Sequence, residues 1–248
     1  METPRSSTNL RDRLIVALDV ADRADALRLG EQLSGRAGMF KIGSRLFTAE
    51  GPALVQEFVS SGERVFLDLK FHDIPNTVAG AAESAARLGV SIFNVHTLGG
   101  AEMMRVAAHA VADRGILWIG RPAVLGVTVL TSMDQASLTD VGVNAPVELE
   151  VVRLALLAHD AGLDGVVAAP QEIRPIRELV SDDRFIILTP GIRPAWSASG
   201  DQKRIATPAD AIRDGADFLV VGRAITDNPD PRAAAERVLE EMAGSKRP

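Results

Sequence analysis

The chain has 248 residues, 46% of them apolar and 24% charged, with 27 basic against 33 acidic side chains and a net charge of −6. That balance belongs to a soluble globular protein long enough for one large α/β barrel or two smaller domains. Cysteine is absent, which excludes disulfides, a thiolate metal site and a cysteine nucleophile; the acidic balance argues against general nucleic-acid binding, which needs a concentrated basic patch.

Residues 1–13 are polar, lack the apolar core of a signal peptide, and read as a flexible N-terminal segment. No run of about 18 apolar residues follows, so no membrane span is indicated and the cytoplasm is the expected compartment. Short apolar runs at 14–19, 39–43, 65–70, 91–96, 124–129, 165–168, 185–189 and 218–222 read as strands. Alanine- and leucine-rich stretches of helical spacing come between and after them, at 22–33, 52–60, 76–88, 101–113, 146–161, 172–179, 207–214 and 231–242. Eight strand–helix pairs at roughly 30-residue intervals are the pattern of a single-domain (β/α)8 TIM barrel, here over residues 14–243. An open doubly wound sheet is the competing architecture, but the count of eight favours closure.

Barrels of this kind carry their chemistry at the C-terminal ends of the strands and in the loops that follow. The polar residues concentrate there: Asp19, Lys41, Asp68, Lys70, Asp73, His96, Thr131, Arg193 and Arg223. The run from Phe66 to Thr77 is the most informative. In an extended strand Asp68 and Lys70 share one face and Leu67 and Leu69 the other, with Asp73 following where strand should give way to helix. Such charges cost desolvation energy unless they pair or act on something. Of the basic residues only Lys41, Lys70, Lys203 and Lys246 are lysine, and two of these sit in apolar strands. Lysine, unlike arginine, can deliver a proton.

Adjacent strands would bring Asp19, Lys41, Asp68 and Lys70 into one alternating cluster at the barrel mouth, each cation keeping its neighbouring carboxylates ionised. A carboxylate fixed against a substrate carboxylate would disfavour the bound ground state. A neighbouring ammonium would favour a developing carbanion and then protonate it. The array therefore suits decarboxylation without a cofactor. A Schiff-base role for Lys70 is disfavoured, because the flanking carboxylates hold it as an ammonium.

The last strand runs into Gly222-Arg223, and barrels often hold phosphate in the loops after strands seven and eight. Gly222 permits close backbone approach and Arg223 adds a bidentate cation. Strand seven leads into Thr189-Pro190-Gly191-Ile192-Arg193 and a polar loop reaching Asp201-Gln202, long enough to read as a lid or as a solvated surface loop.

The segment Asp68-Leu69-Lys70-Phe71-His72-Asp73-Ile74-Pro75-Asn76-Thr77 resembles the signature of the orotidine 5'-phosphate decarboxylases. The resemblance covers nearly the whole chain: Leu18-Asp19, Lys41-Ile42-Gly43, Asn94-Val95-His96, Val127 through Ser132, Pro190-Gly191-Ile192-Arg193, Asp201-Gln202 and Val221-Gly222-Arg223 fall in family order. The Asp-x-Lys-x-x-Asp core alone is shared with a wider suprafamily; the Ile-Pro-Asn-Thr extension and the Pro-Gly-Ile-Arg to Asp-Gln loop make the match specific. The resemblance implies conversion of orotidine 5'-phosphate to UMP and CO2, the last step of pyrimidine nucleotide synthesis, without metal or cofactor. By it Lys70 is the proton donor and Asp68 lies against the departing carboxylate. Asp19 and Lys41 hold ribose hydroxyls, and Thr131 and Ser132 face the pyrimidine. Arg193, Gln202, Gly222 and Arg223 bind phosphate and close the lid. Asp73 and Thr77 are expected to reach into a neighbouring subunit's site, which implies a homodimer. Ala224 departs from the proline common at that position in bacterial relatives, without removing an expected ligand.

His72, His96, His109 and His159 show no metal-ligand spacing. His96, at the end of strand four, reads as a hydrogen-bonded barrel histidine ahead of a ligand or a general base. Asp73 could instead cap the helix ahead of Pro75, and Trp118 and Trp196 read as packing or loop anchors. Two competitors stay open: a Mg2+-dependent keto-sugar-phosphate decarboxylase or aldolase using Asp68 and Asp73 around the metal, and a non-catalytic barrel that binds a phosphorylated nucleotide.

Overall fold

The computed structural model describes residues 9–197 and 205–244. Eight parallel strands close into a barrel in chain order: β1 (Leu14–Ala17), β2 (Met39–Gly43), β3 (Val65–Phe71), β4 (Ile92–His96), β5 (Ala123–Val127), β6 (Gly165–Val167), β7 (Ile186–Thr189) and β8 (Phe218–Val221), with β8 pairing back onto β1. The strands agree with the apolar runs to within two residues at each end. Short runs of branched residues bounded by turns suit strands buried on both faces. The open-sheet alternative is excluded by the closing pairs Leu14↔Leu219 to Val16↔Val221.

Two apolar layers result from the alternation of side chains. Ile15, Met39, Phe66, Ile92, Leu125, Ile186, Leu188 and Phe218 fill the barrel interior. Leu14, Val16, Phe40, Leu67, Phe93, Val124 and Leu219, on the other face of the same strands, pack under the helices. Those helices are α1 (Arg23–Leu33), α2 (Ser44–Ser60), α3 (Pro75–Arg87), α4 (Gly100–Ala112), α5 (Gln135–Asp140), α6 (Val147–Asp160), α7 (Ile173–Leu179), α8 (Pro208–Asp214), α9 (Arg223–Thr226) and α10 (Pro231–Ala243). The expected helix at 52–60 is the second part of α2, which kinks where Gly51 takes φ +67° and Pro52 restarts the helix. The short α5 and α9 have too few turns to leave a periodic signature. Among the described residues no helix is long and apolar enough to cross a membrane.

Within the stretch read as a flexible N-terminal segment, residues 1–8 lie outside the described residues and 9–13 are structured. Leu10–Arg13 form a 3-10 turn capped by Asn9. Arg13 is buried, and its guanidinium donates to the carbonyls of Asp217 (3.0 Å) and Ala216. A polar sequence conceals this, because the accepting carbonyls lie 204 and 203 positions along the chain.

Candidate active site

Strand alternation carries Asp19, Lys41 and Asp68 to one end of the barrel interior. Ala17 and Lys41 are register partners across β1 and β2, and Gly43 and Asp68 across β2 and β3. The Lys41 ammonium lies 3.0 Å from Asp19 Oδ1 and 3.4 Å from Asp68 Oδ2; the Lys70 ammonium lies 2.6 Å from Asp68 Oδ1. The expected alternating cluster is thus assembled. Gly43 makes room for it: a Cβ there would sit 3.0 Å from Lys41 Nζ.

Exposure grades the cluster. The side chains of Lys41 and Asp68 are 11% and 12% exposed, that of Lys70 34% and that of Asp19 57%. Burial by itself would drive Asp68 towards its neutral acid, but the charges of Lys41 and Lys70, with hydrogen bonds from Lys70 and Asn94, outweigh it. Its carboxyl is held below the ordinary aspartate range. Burial likewise opposes the charge on Lys41, yet Asp68 and Asp19 overcome it and raise its pKa above the ordinary lysine value. His96 moves the other way: burial, then the proximity of His72 and Lys70, lowers its pKa. The two histidine rings stand 5.4 Å apart.

Lys70 does not sit in a regular strand. Pairing between β3 and β4 passes from Leu67↔Phe93 to Phe71↔Val95, four residues against two, so Asp68 to Lys70 form a bulge. Lys70 adopts φ +52°, a conformation costly for a residue with a Cβ. Asp68 and Lys70 do meet on one cavity wall as expected, but the bulge, not simple strand alternation, sets the lysine's direction. Its backbone N–H donates 2.7 Å to Asn94 Oδ1, and Asn94 Nδ2 donates 2.7 Å to Asp68 Oδ1.

The cluster borders a cavity of about 680 Å3, the size of a nucleotide-scale ligand site. Asp19, Lys41, Asp68, Lys70, Thr131, Arg193, Gly222 and Arg223 all line it, as does Arg45, which was not singled out from the sequence. Arg45 stands at the start of α2, where the helix signal fails, and nothing in its local pattern marks it. Gly222 stands beside Asp19: a Cβ there would lie 3.5 Å from Ala17 Cβ and 3.8 Å from Asp19 Oδ2. Ile192 bridges Ala206 and ties off the base of the loop after β7. Trp196 in that loop packs under the Arg237 guanidinium, 4.3 Å from the ring centre, in keeping with a loop anchor.

Three of the expected residues do not line the cavity. Ser132 is exposed, and so are Asp73 and Thr77 at the start of α3. Asp73 is not the helix cap; that position is held by Ile74, with Pro75 following, and the Asp73 carboxylate accepts from the Ile74 N–H at 2.6 Å. Gln202 lies outside the described residues.

Residues 12–238 match the family model described as the orotidine 5'-phosphate decarboxylase / HUMPS family. The chain belongs to that family. It is 54% identical over 235 residues to an orotidine 5'-phosphate decarboxylase of Moorella thermoacetica, covering 94% of this chain and 92% of the relative. It is 55% identical over 235 residues to the enzyme of that name from Geobacter sulfurreducens, covering 94% and 98%. The crystal structure of orotidine 5'-phosphate decarboxylase from Lactobacillus acidophilus superposes with a TM-score of 0.81 at 35% identity, over 92% of this chain and 98% of that one.

Proposed function

We infer that the chain decarboxylates orotidine 5'-phosphate to UMP and CO2, with Lys70 as proton donor. The observation that carries the mechanism is the Lys41–Asp68–Lys70 array on the wall of a nucleotide-sized cavity. Relatives bearing the decarboxylase name at more than half identity over nearly the whole chain support the substrate.

In this reading the substrate carboxylate is held against the Asp68 carboxylate, which its two ammonium neighbours keep ionised. The bond from the ring carbon to the carboxylate breaks, CO2 departs, and the electron pair stays on that carbon beside the Lys70 ammonium. A proton passes from Lys70 Nζ to the carbon, giving UMP; Lys70 then regains a proton from solvent. The ammonium contributes because its attraction grows as charge develops on carbon. Asp19 and Lys41 bind the ribose, Thr131 on the cavity wall faces the base, and Arg193, Gln202, Gly222 and Arg223 bind the phosphate; Ser132, exposed and off that wall, is given no role.

The exposed positions of Asp73 and Thr77 suit residues offered to a second subunit, and we assign the enzyme as a homodimer on that reading. The Mg2+ alternative is disfavoured by the crowding of Asp68. Its Oδ1 already faces the Lys70 ammonium and the Asn94 amide, and its Oδ2 faces Lys41, so a divalent ion would have to displace cations. The deciding experiment follows the loss of orotate absorbance from orotidine 5'-phosphate by the wild type and by Lys70→Ala, before and after exhaustive EDTA. Full wild-type turnover after EDTA with a drop of several orders of magnitude in the variant is expected. A Lys70→Ala loss below tenfold removes Lys70 from the central role, and UMP binding without turnover makes the barrel a binder.

A further inference from the structure

We propose that Asn94 is the positioning residue that aims the proton donor, by clamping the backbone of Lys70 and the carboxylate of Asp68 at once. The proposal rests on the assignment of Lys70 as donor and deepens it.

Ile92, two residues earlier on β4, packs in the barrel interior, so strand period turns Asn94 inward as well, where it is 0% exposed. A primary amide in such a place is costly unless bonded. Here its two ends meet groups that fix its orientation: Oδ1 can only accept, and it takes the Lys70 N–H at 2.7 Å; Nδ2 can only donate, and it reaches Asp68 Oδ1 at 2.7 Å. That same Asp68 oxygen accepts from Lys70 Nζ at 2.6 Å. Asn94, the Lys70 main chain and the Lys70 ammonium therefore form a closed ring of contacts through Asp68.

The left-handed backbone of Lys70 explains why the clamp is needed. The bulge of β3 takes the Lys70 N–H out of register with the β4 backbone, and the Asn94 side chain replaces the partner that the ladder would have provided. Removing the amide leaves the Lys70 N–H orphaned and one contact of Asp68 unmade, so the bulge is free to relax towards a negative φ and carry Nζ off its line. Misplacing a reacting group by about an ångström costs on the order of 100-fold in rate. Binding of the rest of the substrate is untouched, because Arg193, Arg223 and Asp19 sit on other strand ends.

The test compares wild type, Lys70→Ala, Asn94→Ala, Asn94→Asp and Thr97→Val on orotidine 5'-phosphate, with UMP affinity and thermal midpoint measured alongside. Thr97 is the control: it is also 0% exposed and gives up one buried hydrogen bond, to the Val127 carbonyl at 2.8 Å, without touching the cluster. Asn94→Ala is expected to lose about 100-fold in kcat while KM and UMP affinity stay within about threefold, and Thr97→Val to keep kcat. Asn94→Asp retains the acceptor for Lys70 but sets a carboxylate against Asp68. Its activity relative to the wild type should rise as pH falls and the introduced acid protonates into a donor. A folded Asn94→Ala with kcat within threefold of wild type overturns the proposal, as does a kcat loss matched by Thr97→Val. If Asn94→Ala does not fold, an Asn94→Asp profile parallel to that of the wild type overturns it. Near-normal turnover by Lys70→Ala fells the donor assignment and this proposal with it; an inactive Lys70→Ala beside an unimpaired Asn94→Ala fells this proposal alone.

Discussion

Both ends of the barrel hold carboxylates beside cations, but the two sets are paired differently. At the N-terminal end, Asp164 takes two bonds from Arg121 (3.0 and 2.6 Å) and a third from the Val124 N–H at 2.8 Å. Asp217 accepts from the Ile187 N–H at 2.6 Å and from Arg177, whose guanidinium also donates to the Phe185 and Gly215 carbonyls. A two-stranded ribbon (Ile116–Leu117 and Gly120–Arg121) lies beside this end, with Trp118 packed edge-on against Phe218, 5.9 Å between ring centres. At the C-terminal end the charges also pair, but they line a cavity, and Lys70 and Asp19 retain partial exposure. Arginine forks closed by main-chain partners make a structural pair. Lysine point charges facing open space make a site, because their remaining hydrogens have a ligand to meet.

That contrast can be broken in order of expected effect. Lys70→Ala should lower kcat by several orders of magnitude with little change in thermal midpoint; a tenfold loss would put the barrel mouth on the same footing as the far end. Asp217→Ala should do the reverse, costing about 3–5 kcal/mol because Arg177 is left buried without its carboxylate. Urea titration checks the cost, and kcat of the folded fraction should stay within twofold. Arg223→Ala removes one charge-assisted partner worth about 1.5–3 kcal/mol, so kcat/KM should fall roughly 10- to 150-fold with the midpoint unmoved.

The smallest effect concerns His96. Its folded pKa is lowered, so the unfolded state binds its proton first. The fold keeps its full contribution above the ordinary histidine value near 6.5 and loses it as pH falls below that value towards the folded one. Urea midpoints between pH 7.5 and 5 should decline less steeply in His96→Gln than in the wild type; parallel slopes would remove His96 as the cause.

Much of this was legible beforehand. The eight apolar runs are strands because a strand buried on both faces must be apolar throughout, and Asp19, Lys41 and Asp68 stand out as charges in or at the ends of such runs. The ion pairs among them followed from adjacency alone. Asn94 carries a weaker signal, a lone amide between Ile92 and His96 in an inward-facing series, which marks its burial but not its partners. The turn at residues 10–13, the ribbon and the short helices α5 and α9 left no periodic trace. Ser132, expected against the base, is exposed.

Element order, the number of strand–helix pairs and the residue types at each strand end are local properties, written in burial patterns and spacing. Where the Lys70 ammonium points is not. Its direction follows from a two-residue slip between β3 and β4 and from an amide 24 positions along the chain, contacts that no local pattern encodes.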